Sequence, residues 1–241
     1  MVLSGADLQR QTLRLYGELL ARSENWAGQL VFACGEGVSA TGLPAAVSIA
    51  GGTSLLLDAD AAAVKSVFRA GGVDFVVNTL DEALRILKNE IRKHRPVSVA
   101  LPDSVQSAIA EMTERGVIPD LRISFGSAQG EAEPMGVESL RLALGDIVIP
   151  SARAKALLND RGWSEVVLER ATMAELRELD TRLVSLLSDG LRRTWVQRIA
   201  HYQRVMAGGV RVVWLTDAER ERVRTRLRLS KFGPEKRFVD R

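Results

Sequence analysis

Short runs of apolar residues recur along the first half of the chain, and they constrain its fold more than any other feature. Almost every residue within a run is apolar, whereas a strand with one face in water alternates apolar and polar residues. The runs are GQLVFACG (28–35), TSLLLDAD (53–60), VDFVV (73–77), PVSVALP (96–102) and DLRISFG (120–126). This pattern is typical of strands buried on both faces, as in a parallel sheet that is covered by helices.

Helical signals separate these runs. In the segment 79–93, Thr79 can cap the helix and Glu82 stands in the capping-box position. An amphipathic helix over residues 6–23 precedes the first run, with leucines on one face and polar side chains on the other. The other helical stretches are 43–50, 60–70 and 103–115. Strands that alternate with helices through short connections predict βαβ units, and therefore a three-layer α/β fold with a mainly parallel sheet.

The second half is predicted to be more helical. Its helical stretches are 152–160, 172–188 and 190–207. One strand is predicted at Val210–Leu215, residues 127–137 predict a loop, and 222–231 is compatible with either an exposed strand or a helix. We therefore predict an α/β domain over residues 1–150 and a mainly helical C-terminal part, with a basic end, over residues 151–241.

Composition excludes several classes of protein. The chain has 241 residues, of which 46% are hydrophobic and 26% charged, and this excludes a disordered or low-complexity chain. A single cysteine cannot form an intramolecular disulfide, and one Cys with two His gives no structural zinc spacing. No apolar run approaches the roughly 20 residues of a membrane helix, and the N-terminus is too polar for a signal peptide. We therefore expect a cytoplasmic protein that does not bind a membrane.

Charge is distributed unevenly. The formal net charge is +3, but residues 189–241 carry 14 basic and 6 acidic residues, whereas residues 1–188 carry 19 and 24. The basic residues near the C-terminus could contact nucleic acid phosphates, yet Glu219 and Glu221 among them favour a solvated helix or an oligomer contact. These basic residues are Arg220, Arg222, Arg224, Arg226, Arg228 and Lys231.

A glycine-containing turn, GEGVSATG (35–42), follows the first predicted strand and precedes a helix. Glycines in such a turn let the backbone approach a diphosphate, whose charge is stabilised by amide groups at the helix N-terminus. Asp58 ends the next strand, where a carboxylate can accept hydrogen bonds from a ribose diol. The spacing of Gly35, Gly37 and Gly42 does not fit G-x-G-x-x-G, so a dinucleotide site and simple tight packing both remain open.

Longer segments of the first half stand in a characteristic order. They are GEGVSATGLPAAVSIAGGTSLLLDAD, VDFVVNTLDEALRIL, PVSVAL and ERGVIPD. This series resembles the central NAD-binding region of urocanase, the urocanate hydratase of histidine breakdown, over residues 28–131. A weaker resemblance to the same family covers the segment from DGLRRTW to RVRTRL in the second half.

The resemblance implies a Rossmann-like sheet that binds NAD. In urocanases NAD⁺ is an electrophile, and the substrate's imidazole ring adds to its nicotinamide. Any activity would therefore be that of a lyase, and the chain is expected to form a homo-oligomer. The positions that match the family's cofactor-binding segments are Gly35, Gly37, Ser39, Ala40, Asp58, Ser104, Gly126, Ser127 and Ala128.

The chain also departs from the family's pattern. Val38, Ala40 and Thr41 stand where the family has a glycine-dense turn, which makes close approach of a diphosphate harder. Asp103 and Ser104 replace a Gly-Asn pair, so Asp103 would place a negative charge near any phosphate. The sequence contains no YGNN, GRDH or HNGGG segment and no equivalent of the family's active-site cysteine.

These observations lead to two expectations. The first is a urocanase-like protein that binds NAD or a related nucleotide-like ligand but does not hydrate urocanate alone. The alternative is a catalytically inactive scaffold or assembly module, whose basic C-terminal segment binds a protein partner or nucleic acid.

Other chemically reactive residue types have simpler interpretations. Cys34 lies inside the first predicted strand and is interpreted as a small buried side chain rather than a nucleophile. His94 and His201 are interpreted as solvated surface residues. The tryptophans, which are predicted to be anchors of the core or of a subunit interface, are Trp26, Trp163, Trp195 and Trp214.

Overall fold

The computed structural model describes residues 5–34, 42–125, 137–143, 147–203 and 209–227. Its main sheet consists of β1 (Leu30–Cys34), β2 (Thr53–Leu57), β3 (Phe75–Val76), β4 (Val97–Leu101), β5 (Leu121–Phe125) and β6 (Glu138–Leu142). The helices of this half are α1 (Gly5–Leu20), α2 (Leu43–Ala50), α3 (Ala61–Arg69), α4 (Leu80–Arg92) and α5 (Val105–Glu114). Thr79 caps α4 as predicted, because its hydroxyl accepts the backbone N–H of Glu82.

The six strands lie in the order β3-β4-β2-β1-β5-β6, and every neighbouring pair is parallel. The chain first builds the sheet outward from β1 through β2, β4 and β3. It then crosses back to place β5 and β6 on the other side of β1. The predicted α/β fold with a parallel sheet is therefore confirmed. The strand order reverses between β1 and β5, which are hydrogen-bonded neighbours.

Helices cover both faces of the sheet. Alternate residues of β1 point to opposite faces, so Val31 and Ala33 pack in the core under α1, α2 and α3, while Leu30 and Phe32 pack under α4 and α5. The first of these cores extends into the C-terminal part of the chain, where it includes Trp195 and Trp214.

The C-terminal part combines helices with a small second sheet. Its elements are α6 (Ala152–Asp160), β7 (Ser164–Arg170), α7 (Met173–Leu186), α8 (Gly190–Ile199), a 3-10 helix (Ala200–Gln203), β8 (Gly209–Leu215) and α9 (Asp217–Leu227). β7 and β8 pair antiparallel and do not join the main sheet. The predicted strand at 210–215 is confirmed, and the ambiguous segment 222–231 is helical as far as Leu227.

Two strands contradict the sequence analysis. β7 was not predicted, so the expectation of a single strand after residue 150 is wrong. β6 was also missed. It is an edge strand that alternates buried and exposed residues rather than forming a continuous apolar run, because only one of its faces is covered. Most of the predicted loop 127–137 lies outside the described residues.

Helix α1 is predicted to be amphipathic, but its polar side chains are largely buried too. Gln9 is 1% exposed and bridges to β8, where its amide donates to the carbonyl of Val210 and accepts the N–H of Val212. Glu18 is fully buried and accepts hydrogen bonds from the backbone N–H and the hydroxyl of Ser151, the residue that caps α6. The polar face of α1 therefore makes hydrogen bonds to the C-terminal part of the chain and is not exposed to water.

Aromatic rings fill the contact between α1 and the C-terminal part. Tyr16 stacks on Trp195 and Trp214, with ring centroids 5.7 and 6.1 Å apart, and Trp163 stacks on Trp214 at 5.8 Å. All four tryptophans are at most 5% exposed. The tryptophans are therefore core residues of this chain, which is one of the two roles predicted for them.

Candidate functional site

Two of the residues discussed in the sequence analysis follow strands β2 and β4, at the carboxyl edge of the sheet. Leu57, the last residue of β2, pairs with Leu101, the last residue of β4. The carbonyl of Leu101 accepts the backbone N–H groups of Asp58 at 3.5 Å and of Asp103 at 3.0 Å. Asp58 and Asp103 therefore leave the sheet at the same level. They follow β2 and β4, the first and second strands beyond β1 on the side away from β5.

Asp58 is held firmly in the turn after β2. Its side chain is buried, and its Oδ1 atom accepts the backbone N–H of Asp60 at 2.9 Å. Asp60 in turn caps α3 by accepting the N–H of Ala62. A carboxylate has about four acceptor positions, and this turn contact uses one of them.

Helix α2 begins directly after the predicted glycine turn. Its N-cap is Gly42, which provides no side-chain hydrogen bond to the amides of the first turn. Such an N-terminus retains backbone donors and a positive dipole end for an anion, although Pro44 contributes no N–H. The glycine is also required for packing, because a Cβ at Gly42 would lie 2.8 Å from the hydroxyl oxygen of Thr12 in α1.

Ser104 is found in a structural role. Its hydroxyl caps α5 by accepting the N–H of Ser107 at 3.5 Å, and its own N–H donates to the carboxylate of Asp103 at 2.7 Å. The residue is exposed at the carboxyl edge of the sheet. Its role as the cap of α5 was not predicted, and cofactor binding by Ser104 stays a prediction.

The remaining predicted cofactor positions follow β1 and β5 directly in the sequence, which is where the strand order reverses. Gly35, Gly37, Ser39, Ala40, Gly126, Ser127 and Ala128 lie outside the described residues. The structure thus brings Asp58, Ser104 and the start of α2 to one edge of the sheet.

Other candidates from the sequence have clear positions. Cys34 is 4% exposed at the end of β1, and His94 and His201 are exposed, as interpreted. In α9, Arg220 and Arg224 form ion pairs with acidic residues of the same helix.

The described ranges contain neither a membrane-crossing helix nor a metal centre. None of their helices is both long and apolar enough to cross a bilayer. Within the same ranges, no three side chains of His, Cys, Asp or Glu come together as metal ligands.

One unusual residue was overlooked in the sequence. Arg122 lies in the middle of β5 and is only 4% exposed, although a strand of a parallel sheet is normally apolar on both faces. The signal in the sequence is a charged residue inside the run DLRISFG, which was predicted only as a buried strand.

The strand order, the acid after β2 and the helix N-terminus after β1 together define a Rossmann-like α/β protein. Residues 10–136 match the family model described as the urocanase Rossmann-like domain. This match covers more than half of the chain, and the chain belongs to the urocanase family. In that family the matched domain is the part that binds NAD.

Proposed function

We propose that this chain binds NAD, or a closely related dinucleotide, across the carboxyl edge of the sheet. The position of Asp58 carries the proposal: a buried carboxylate follows β2, the strand next to β1, in a sheet whose order reverses on the other side of β1. Dinucleotides bind in this crevice in Rossmann-type folds, and an acid at this position accepts hydrogen bonds from a ribose.

Asp58 and the first turn of α2 would each contact a different part of the NAD molecule. Asp58 would accept hydrogen bonds from the ribose diol, while the first turn of α2 would face the diphosphate with its backbone amides. Bound NAD would supply an electrophilic nicotinamide ring. The proposal covers binding and not the hydration of urocanate, because the sequence lacks the family segments named above.

Titration of the purified chain with NAD tests this proposal, with native mass spectrometry and calorimetry as the measurements. We expect the substitution Asp58→Asn to weaken NAD binding roughly tenfold or more, the usual effect of losing hydrogen bonds to a charged group. An asparagine keeps the oxygen that accepts the N–H of Asp60, so the fold should be retained.

Asp103→Asn is the matched control, since Asp103 lies at the same edge but would repel a phosphate. This variant should bind NAD as well as the natural chain or more tightly. Absence of NAD binding by the natural chain, or equal affinities for the natural chain and D58N, would contradict the proposal. The first result would leave the assembly module as the better explanation.

A further inference from the structure

The large apolar side chains that stay exposed are concentrated at one end of the main sheet. Among the described residues, three of the six lie close together in the chain, in α3 and β3. They are Phe68, Phe75 and Val76, which are 48%, 49% and 37% exposed, and we call them the β3 edge surface. The other three are Ile118, Ile149 and Met173. Single exposed apolar residues are ordinary, whereas a group of them indicates an interaction surface.

The β3 edge surface extends over both faces of the outermost strand. In the described part of the chain, β3 pairs with β4 alone. Val76 pairs with Ala100, which lies in the core beneath α3. Phe75 pairs with Val99, which lies in the core beneath α4. The outer N–H and C=O groups of an edge strand can pair with another chain, and β3 contains neither the lysine nor the proline that commonly prevents this.

Helix α3 adds an exposed stripe beside this edge. Its Val64 and Val67 are buried, whereas Ala61, Lys65 and Phe68 are exposed. Successive positions of the stripe are four and three residues apart, so these side chains follow one line along the helix. The stripe therefore begins with a small side chain and ends with a large one.

The two ends of α3 carry opposite charges. Asp60 is the exposed N-cap, and Arg69 is exposed in the last turn. A helix with an acid at its start and a base at its end is complementary to an antiparallel copy of itself, because each charge then faces the opposite one.

A single register satisfies both shape and charge when two copies of α3 pack antiparallel about a twofold axis. If the axis passes between positions 64 and 65, Phe68 of each copy faces Ala61 of the other. The same register places Arg69 opposite Asp60, and symmetry makes each contact occur twice. Lys65 lies near the axis, where its flexible stem can direct its charge towards Asp60 of the other copy.

We infer that two copies of this chain form a symmetric dimer through the β3 edge surface and α3. A twofold axis perpendicular to the sheet sets the two β3 strands antiparallel and keeps both α3 helices on the same face. The dimer covers the exposed rings of Phe68 and Phe75 and continues the sheet from one copy to the next. The inference does not depend on NAD binding, since the β3 edge surface contains no residue of the proposed dinucleotide site.

Sedimentation equilibrium of the full chain over a range of concentrations tests the inference. We expect a reversible monomer–dimer equilibrium. Phe68→Ser should weaken dimerisation roughly tenfold or more, because symmetry removes the ring from both sides of the contact. Its ring is half exposed, so the fold should be retained, which urea denaturation checks. Ile118→Ser is the control, because it removes a side chain that is 67% exposed outside this surface, and it should dimerise like the natural chain.

A cysteine close to the proposed axis tests the register of α3. Lys65→Cys should form a disulfide-linked dimer on mild oxidation, because the two copies of position 65 approach each other there. Cys34 is 4% exposed, so the natural chain should not cross-link. Arg177→Cys, at an exposed position of α7, is the matched control and should not cross-link either.

The inference is overturned if the natural chain is monomeric at every concentration, or if F68S dimerises as tightly as the natural chain. A dimer in which Lys65→Cys cross-links no better than Arg177→Cys would overturn the contact between the α3 helices.

Discussion

A buried ion pair between Arg192 of α8 and Glu219 of α9 joins the last helices of the chain. The two side chains are 2% and 1% exposed. Arg192 also donates to the carbonyl of Trp214 at 3.3 Å, and its guanidinium lies 4.7 Å from the ring centroid of Trp163. Glu219 accepts the backbone N–H groups of Thr216 and Ser188. Both charges therefore have several polar partners, which buried charges require.

These contacts determine how Glu219 ionises. Burial by itself would raise the pKa of its carboxyl group, but the hydrogen bonds from Arg192 and from the backbone of Thr216 and Ser188 outweigh burial and lower the pKa to about 2. The unfolded chain has the ordinary pKa of 4.5. Ionised Glu219 therefore stabilises the fold above pH 4.5, and this contribution is lost as the pH falls towards 2.

We predict that Glu219→Gln lowers the free energy of unfolding at pH 7 by about 3–5 kcal/mol, because it leaves the charge of Arg192 buried without its counter-charge. Urea denaturation at several pH values measures this. The loss should shrink as the pH falls from 4.5 towards 2, where the natural chain protonates Glu219 as well. Glu178→Gln, in an exposed pair with Arg182, is the control and should cost less than about 1 kcal/mol. An equal effect of the two variants would refute the role given to burial.

At the scale of elements, the buried strands and their helices were predictable from sequence, whereas the edge strands were not. β1, β2, β4 and β5 are covered on both faces, and this leaves a continuous apolar run in the sequence. β6 is covered on one face and carries Ser139 and Arg141 on the other, so no such run exists. Asp58 was predictable because it terminates one of those runs. The partners of Gln9 were not, because they depend on contacts made only after folding. The cap at Ser104 is a local contact of the same kind as the predicted cap at Thr79, and it was overlooked.

Gln9 illustrates how α1 is attached to β8. Its side-chain amide makes two hydrogen bonds to the backbone of β8, at 2.6 Å to the carbonyl of Val210 and at 2.9 Å from the N–H of Val212. An amide offers a donor and an acceptor with the geometry of a peptide group. A single side chain thus completes the backbone hydrogen bonding of a strand at this point.

We predict that Gln9→Leu lowers the free energy of unfolding by about 1–3 kcal/mol, since it leaves the buried N–H of Val212 and the partly buried carbonyl of Val210 without their partner. Hydrogen exchange should show faster exchange at the N–H of Val212 in particular. Gln106→Leu, at an exposed position of α5, is the control and should leave both stability and exchange nearly unchanged. Normal protection of Val212 in Q9L would contradict the attachment described here.

At the scale of the whole molecule, α1 unites the two halves of the chain. Leu13, Leu15 and Leu19 are fully buried, and the ring of Tyr16 stacks between tryptophans that come from α8 and β8. One continuous core therefore runs from the sheet through α1 to the C-terminal elements. Helix α8 adds a polar contact, because Arg198 donates to the carbonyls of Ser48 and Ile49 at the end of α2.

We predict that a fragment of residues 1–150 does not fold cooperatively by itself, although it contains the complete main sheet. It would expose the face of α1 that meets Trp195 and Trp214, an area of apolar surface that a monomer rarely tolerates. Dispersion of amide signals in NMR and the cooperativity of urea unfolding measure this. Mixing with a fragment of residues 151–241 should restore both, whereas a well-dispersed spectrum of the first fragment alone would contradict the prediction.

The hydrogen bonds of Gln9 to β8 span 201 and 203 residues of sequence. During synthesis the first helix must therefore wait for almost the whole chain before its partner strand exists. At translation rates of about 5–20 residues per second, this interval lasts roughly 10–40 s. Until then the face of α1 that meets β8 stays uncovered, even where α1 already packs against α2, so a chaperone that shields this face should raise the yield of folded protein.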